Sequence, residues 1–315
     1  MAERFGSVVV ASPLGTPGAQ RGLLFRLAQA GRGVADFVSQ KPLGAAGGAI
    51  IIVFIVTAIL APVIAPYYHE DFVAAGRLVP PGSDHLWGTD HVGRDIFSRV
   101  VYGTRVSLVV ALSAGGLGTT LGGMLGLASA YKGGVLDAAV QRAMEVLLAF
   151  PVLVLAMTIV AVLGASMVNV IVAIGLVLVP QVVRVMRAQV LGVKDEQYVE
   201  AARAVGATDL RIMLRHVLPQ CVAVYLILVT AHVAWAIIVE AALSFLGVGV
   251  PPPNPSWGAM MSGTTRSFWE QAPWIVVFPA VALSLAVFGA NLFGDALRDV
   301  LDPRLRGTSY GARGA

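Results

Sequence analysis

The sequence predicts an all-α, polytopic membrane protein with six transmembrane helices. Three observations carry that prediction. Of the 315 residues, 57% are hydrophobic and 13% charged, against roughly 45–50% and about 25% in soluble domains. Six apolar runs of about 20 residues, the length that crosses a bilayer, alternate with polar segments. The basic residues also segregate. Seventeen of the 22 Lys and Arg fall on the side of the two termini and five on the other. The positive-inside rule then puts both termini in the cytoplasm, and an odd number of spans would mix the two sets. The net charge of +4 reflects this topology rather than a nucleic-acid partner.

Residues 1–43 mix Gly, Ala and Ser with scattered Arg, and form a mostly irregular cytoplasmic tail with a short surface helix at 22–30. The first span, 44–66, is too long and starts too late for a signal-peptide core. An extracytoplasmic loop occupies 67–100, with turn signals at Pro80-Pro81-Gly82, Gly88-Thr89-Asp90 and Gly93-Arg94-Asp95. The second span, 101–131, carries small residues every fourth position: Ala114, Gly118, Gly122, Gly126 and Ala130. That spacing lets two helix backbones approach closely in lipid, so Gly118, Gly122 and Gly126 mark a helix-packing face, in this chain or a second subunit.

A short polar turn at 132–142 precedes span three, 143–164, kinked at Phe150-Pro151. Span four, 170–190, is interrupted at Pro180; Arg184 and Arg187 end it and snorkel. Span five covers 221–247. After the Pro-rich loop 250–273 comes span six, 274–293. The five spans after the first form a core over 101–294, and a cytoplasmic tail occupies 295–315.

Between spans four and five, within a cytoplasmic loop at 191–219, lies the most polar long run between strongly apolar segments, Glu200 to Pro219. Tyr198, Ala201, Ala202 and Val205 share one helical face. Gly206 suits a left-handed C-terminal cap, Thr208 or Asp209 can cap a second helix, and Leu210, Met213, Leu214 and Val217 repeat the pattern. Pro219 suits the first turn of the following helix. The stretch is either a loop lying on the protein's own helix ends or a docking element for a soluble partner.

Catalytic chemistry is not legible. None of the three lysines follows a glycine, so there is no phosphate-binding P-loop, and no zinc-protease, redox or nucleophile-elbow motif occurs. The chain is not expected to be an enzyme. The lone Cys221 excludes an internal disulfide. His85 and His91 share a loop with Asp84, Asp90 and Asp95, where turn and capping chemistry competes with a metal site; no metal site is expected. Charges within spans are costly. Glu240 either pairs at an interface or lines a translocation path. For His232, hydrogen-bonded packing competes with a proton relay or a place in the translocation path or its gate.

Glu200-Ala201-Ala202, then Gly206, then Leu218-Pro219 resemble the cytoplasmic EAA loop of the inner-membrane permeases of binding-protein-dependent ABC importers. His216 departs from the broad motif and narrows the likeness to the oligopeptide, dipeptide and nickel branch. Residues 88–95, Glu240 to Gly247, Pro255-Ser256-Trp257-Gly258, Asn291 to Asp295 and Asp302-Pro303-Arg304 resemble the C-type subunit of that branch, in the same order.

The resemblance, which spans 44–306, implies the type I ABC importer permease fold in a bacterial inner membrane. It implies a translocation path for peptides shared with a homologous B-type permease. Two ABC ATPase subunits would bind ATP and Mg, an extracytoplasmic solute-binding protein would deliver cargo, and this chain would hold no cofactor of its own. Glu200, Ala201, Ala202, Arg203, Gly206, Leu210, Leu218 and Pro219 would couple to an ATPase. Nickel or another small solute is the alternative cargo. A stand-alone secondary carrier is the rival class, and it leaves the docking loop without a role.

Overall fold

The computed structural model describes residues 37–72 and 76–301. Met1–Pro42 and Leu43–Ala315 form two contact units, and the helical bundle belongs to the second. The expected surface helix at 22–30 and the tail residues Asp302, Pro303 and Arg304 lie outside the described residues.

Helix α1, Pro42–Ile64, is apolar on all sides, with only Gly44, Gly47 and Ala61 buried. Such a helix is stable where lipid, not water, meets its outward face. Helix α2, Ile96–Lys132, is 37 residues long, about 55 Å at 1.5 Å per residue. Asp95 caps it, accepting the Ser98 N–H at 2.8 Å, so the helix starts five residues earlier than hydropathy suggested. The expected polar turn at 132–142 is mostly helix. Gly133 breaks the chain for one residue, and α3, Gly134–Leu148, follows.

Helix α4, Val152–Leu163, leaves α3 at 93° across Ala149, Phe150 and Pro151. Span three is thus a sharp corner rather than a kinked rod, because proline cannot continue the preceding hydrogen-bond ladder. Ser166 caps α5, Met167–Lys194. Asn169 in its first turn donates to the Leu163 and Gly164 carbonyls, satisfying the end of α4. Helix α5 runs through Pro180 without interruption.

Helix α6, Gln197–Ala204, and the single turn α7, Asp209–Ile212, follow. A π-helical segment, Met213–Val217, leads directly into α8, Leu218–Phe245. The one-turn α9, Trp257–Met260, a 3-10 segment, Gly263–Phe268, and α10, Trp274–Leu301, complete the described chain. Helix α10 extends past the predicted span into the expected tail.

Among the described residues, five helical segments are long and apolar enough to cross a membrane, and a sixth span arises when the bent pair α3 and α4 counts as one. The fold is therefore all-α and polytopic.

Packing centres on α2. Val110, Ala114, Ile174, Leu178, Ile237 and Leu243 from α2, α5 and α8 share one core with Trp257 of α9, which is fully buried. The small-residue face of α2 meets α5 of the same chain. A Cβ on Gly118 would collide with the Gly175 carbonyl, and one on Gly122 would stand 2.7 Å from Val182 Cβ. One on Gly126 would stand 2.9 Å from the Val183 carbonyl. Within this chain these three glycines lie against α5.

Arg105 shows how the bundle handles a proline. Pro62 lies inside α1 and has no N–H for the Ala58 carbonyl four residues earlier. Arg105 of α2 supplies the missing donor, Nε to the Ala58 carbonyl at 3.0 Å, and its Nη2 also reaches the Ile59 carbonyl at 3.3 Å. Arg105→Met should lower the melting temperature of the detergent-solubilised chain, with a loss of about 1–2 kcal/mol from the orphaned Ala58 carbonyl. The same change made on Pro62→Ala should cost less, because residue 62 then donates to Ala58 itself. Equal costs in both backgrounds would refute the pairing.

Candidate functional site

The loop at 195–218 has a simple construction. Helix α6 is rich in Ala, Glu and Arg, good helix formers. Glu200 sits in its first turn and Arg203 in its last, each favoured there by the helix dipole. Gly206 ends it with φ +83°, a conformation glycine adopts without Cβ strain. The Gly206 N–H donates to the Arg203 carbonyl at 3.0 Å and the Ala207 N–H to the Ala202 carbonyl at 3.1 Å. That pair of bonds is the Schellman arrangement.

The second helix is not separate from span five. The Leu218 N–H reaches back to the Met213 carbonyl, a π-type bond, and α7 passes into α8 as one helical segment. Pro219 explains the widened register. It offers no N–H, and its ring crowds the carbonyl four residues back, so a π-bulge lets the helix continue.

Anchors hold the loop to the bundle. Val199, Ile212, Val217 and Cys221 are fully buried and pack with Leu127, Val182, Met186 and Val190. The Tyr131 hydroxyl at the end of α2 donates to Asp209 at 3.0 Å, and Lys194 Nζ reaches the Ala130 carbonyl at 3.4 Å.

The predicted apolar stripes come out mostly inverted. Val205 is 85% exposed, Leu210 62% and Leu214 51%. Of the other stripe residues, Val217 is buried and Ala202 and Met213 partly so, while Tyr198 and Ala201 face outward. Val199 and Ile212, which the stripes omitted, do the anchoring. The result is a firmly seated element that presents an apolar patch, flanked by exposed Glu200, Arg203 and Arg211. Leu218 is partly buried and Pro219 exposed. Arg203 and Leu210 border a groove of about 400 Å³ with Tyr131 and Met213.

At the opposite end of α2 the segment 76–95 folds into a cap. Asp90 accepts the Val92 and Arg94 backbone N–H groups at 2.8 and 2.9 Å and Arg94 Nε at 2.8 Å. Burial alone would raise its carboxyl, but those donors and the Arg94 and Arg99 charges outweigh burial and hold it below the ordinary value. His85 Nδ1 lies 3.1 Å from Asp95 Oδ1. Trp274 Nε1 donates to the Thr89 carbonyl at 3.3 Å, and Trp87 stacks on Phe278 at 4.5 Å. Capping and turn chemistry engage Asp90, Asp95 and His85, and among the described residues no cluster of three His, Cys, Asp or Glu could hold a metal.

The charged and polar residues inside the spans are tied together. Glu240 is fully buried. Ser107 of α2 donates to its Oε2 at 3.1 Å and Ser244 to its Oε1 at 2.7 Å. His232 Nδ1 meets Thr119 Oγ1 at 3.0 Å and is buried. Arg187 does not simply snorkel. It holds Asp137 of α3 through Nε and Nη2 at 2.7–3.0 Å, a two-pronged geometry that fixes α3 on α5. No local sequence signal joins positions 50 residues apart, so this pair was not legible.

Glu240→Ala should cost about 2–5 kcal/mol, from the cavity and from two hydroxyls losing their acceptor. The predicted readout is less folded protein in the membrane, with Glu240→Gln milder. A Glu240→Ala chain that is as stable as wild type yet fails in transport would instead place the carboxylate on the solute path.

A family model for the inner membrane component of binding-protein-dependent transport systems matches residues 118–307, and a model for the N-terminal transmembrane domain of oligopeptide transport permease C matches 38–81. A putative peptide transport system permease protein of Brucella suis is 42% identical over 260 residues, covering 82% of this chain and 87% of the relative. A dipeptide transport system permease protein of Alkalihalophilus pseudofirmus is 40% identical over 269 residues, covering 85% and 88%. A glutathione transport system permease protein of Pectobacterium atrosepticum is 40% identical over 268 residues, covering 85% and 89%.

Proposed function

We propose, because this chain belongs to the family of inner membrane components of binding-protein-dependent transport systems, that it is the C-type permease subunit of an ATP-driven importer of peptides. It is a multi-pass inner membrane protein and a transport component, not an enzyme. The peptide assignment draws on relatives named as peptide and dipeptide permeases.

The loop at 195–218 carries the mechanism. Its outward apolar residues Val205, Leu210 and Leu214 stand on an element locked to α2 and α5 by buried anchors. A patch of that kind suits a groove in another protein, and a rigid mount passes a push on the patch to the helices. The occupant we assign is one of two ABC ATPases, which bind ATP and Mg where this chain has no P-loop. Helix α8 continues from the loop as one helical segment, so closure of the ATPases on ATP would tilt α8 and bias the pair of permeases between two packings. A homologous B-type permease supplies the other half of the path, and an extracytoplasmic binding protein delivers the peptide. The segregation of Lys and Arg supports cytoplasmic termini and a cytoplasmic loop.

Co-purification in mild detergent tests this. An ATPase retained on the chain, with uptake of a labelled dipeptide that requires ATP, is the expected result. Uptake by this chain alone, driven by an ion gradient, would make it a carrier instead.

A further inference from the structure

Beneath the 76–95 cap lies a cavity of about 180 Å³, space for roughly six waters at about 30 Å³ each. Asp90, His91, Arg94, Arg99, Ser262 and Thr265 are among its walls. The Arg99 side chain is only 9% exposed. Its Nη1 donates to the His69 carbonyl at 3.1 Å, but its Nε stands 3.7 Å from Asp90 Oδ2, beyond hydrogen-bond reach. Asp90 is already occupied. Arg94 Nε holds Oδ2, and two backbone N–H groups hold Oδ1.

Among the described lining residues two guanidinium groups therefore face one carboxylate, an excess of one positive charge. Among the described residues Arg99 Nε makes no hydrogen bond, and a largely buried guanidinium beside a second one gains from an anionic acceptor that takes the place of cavity water. A planar monoanion with two oxygens fits the guanidinium fork.

We propose that this cavity is a carboxylate subsite, and that the C-terminal carboxylate of the peptide cargo fills it. The volume admits a peptide terminus. The source of the carboxylate rests on the importer reading; the carboxylate chemistry does not.

The test uses the full-length chain in detergent with the subunits that copurify. Sodium acetate is titrated against acetamide at constant ionic strength, and thermal stability is recorded. Acetate should stabilise the protein in a saturable way and acetamide should not. Arg99→Gln keeps an N–H for the His69 carbonyl and should weaken the acetate response by about tenfold or more, as loss of a charge-assisted pair does. Arg94→Gln, which leaves Asp90 without its closest guanidinium, should weaken it as well and serves if the first variant does not fold. Equal responses to acetate and acetamide, or an unchanged response in both variants, would overturn the site. Ala-Ala should compete with acetate where its C-terminal amide does not; equal competition would overturn the peptide terminus as the source. An importer that takes up Ala-Ala while blind to acetate would overturn the subsite and leave the importer standing. An acetate response in a complex that takes up no peptide would sustain the subsite's chemistry and overturn the peptide source.

Discussion

Gly206→Glu is expected to leave the chain in the membrane at close to the wild-type level and to reduce ATP-driven uptake by about tenfold or more, the effect of losing 1.4 kcal/mol or more of docking energy. The local cost is small. Residue 206 needs a positive φ, which costs an ordinary side chain about 1–2 kcal/mol, and a Cβ there meets open space. The anchors Val199 and Ile212 are untouched. The change therefore falls on the surface, where a carboxylate would stand between Val205 and Leu210. Burying that charge against an ATPase without a partner is far more costly than the turn strain. Gly206→Asn separates the two effects, because Asn tolerates the left-handed region and adds no charge. It should retain most of the uptake. Full uptake by Gly206→Glu, or equal loss with both variants, would remove the docking role from this surface.

At this loop the sequence shows its local turns but not which way its faces point. The glycine cap was legible because φ and chemistry are local: glycine suits the turn best, and one stood at the end of a helical pattern. The direction of the apolar stripes was not legible. A face that packs on its own bundle and one that awaits a partner have the same 3.6-residue period, so Val205 and Leu210 looked the same as Val199 and Ile212 until the bundle was placed. The same holds inside the spans. Glu240 stood out because a charge in lipid is costly, but the hydroxyl that answers it from α2 belongs to Ser107, 133 positions away. The corner at Pro151 was visible as a break; its angle of 93° depends on where α4 finds a surface to cover. Hydropathy placed the apolar middles of the spans but not their ends, since it sees lipid thickness and not caps such as Asp95, which moved the start of α2, or the polar turns by which α3 and α10 extend beyond the expected spans.

The small-residue face of α2 makes the sharpest prediction about the fold. Gly118→Val is expected to separate α2 from α5 and to lower the stability of the solubilised chain by about 1–3 kcal/mol or more. A side chain at 118 meets the Gly175 carbonyl and, at 2.9 Å, Leu178 Cβ. The first obstacle is backbone, so rotamer changes cannot relieve it and the helices must part. In lipid that loss is not offset by a hydrophobic driving force, because tails solvate apolar helix faces as well as Leu does, and packing itself holds the pair together. Gly116 supplies the control: it lies on the same helix, two residues away, and a Cβ there meets nothing within 4 Å. Gly116→Val should be neutral in stability, and even mildly favourable for helix formation. The two variants carry the same change in volume and hydrophobicity, so their difference reports the close approach alone. Parting α2 from α5 would also loosen the second core, where Leu127 packs with Val182 and Met186 beside the loop anchors. Gly118→Val should therefore lose coupled uptake along with stability, whereas Gly206→Glu loses uptake with stability nearly intact. If Gly118→Val melts with Gly116→Val, the α2–α5 contact does not hold the bundle.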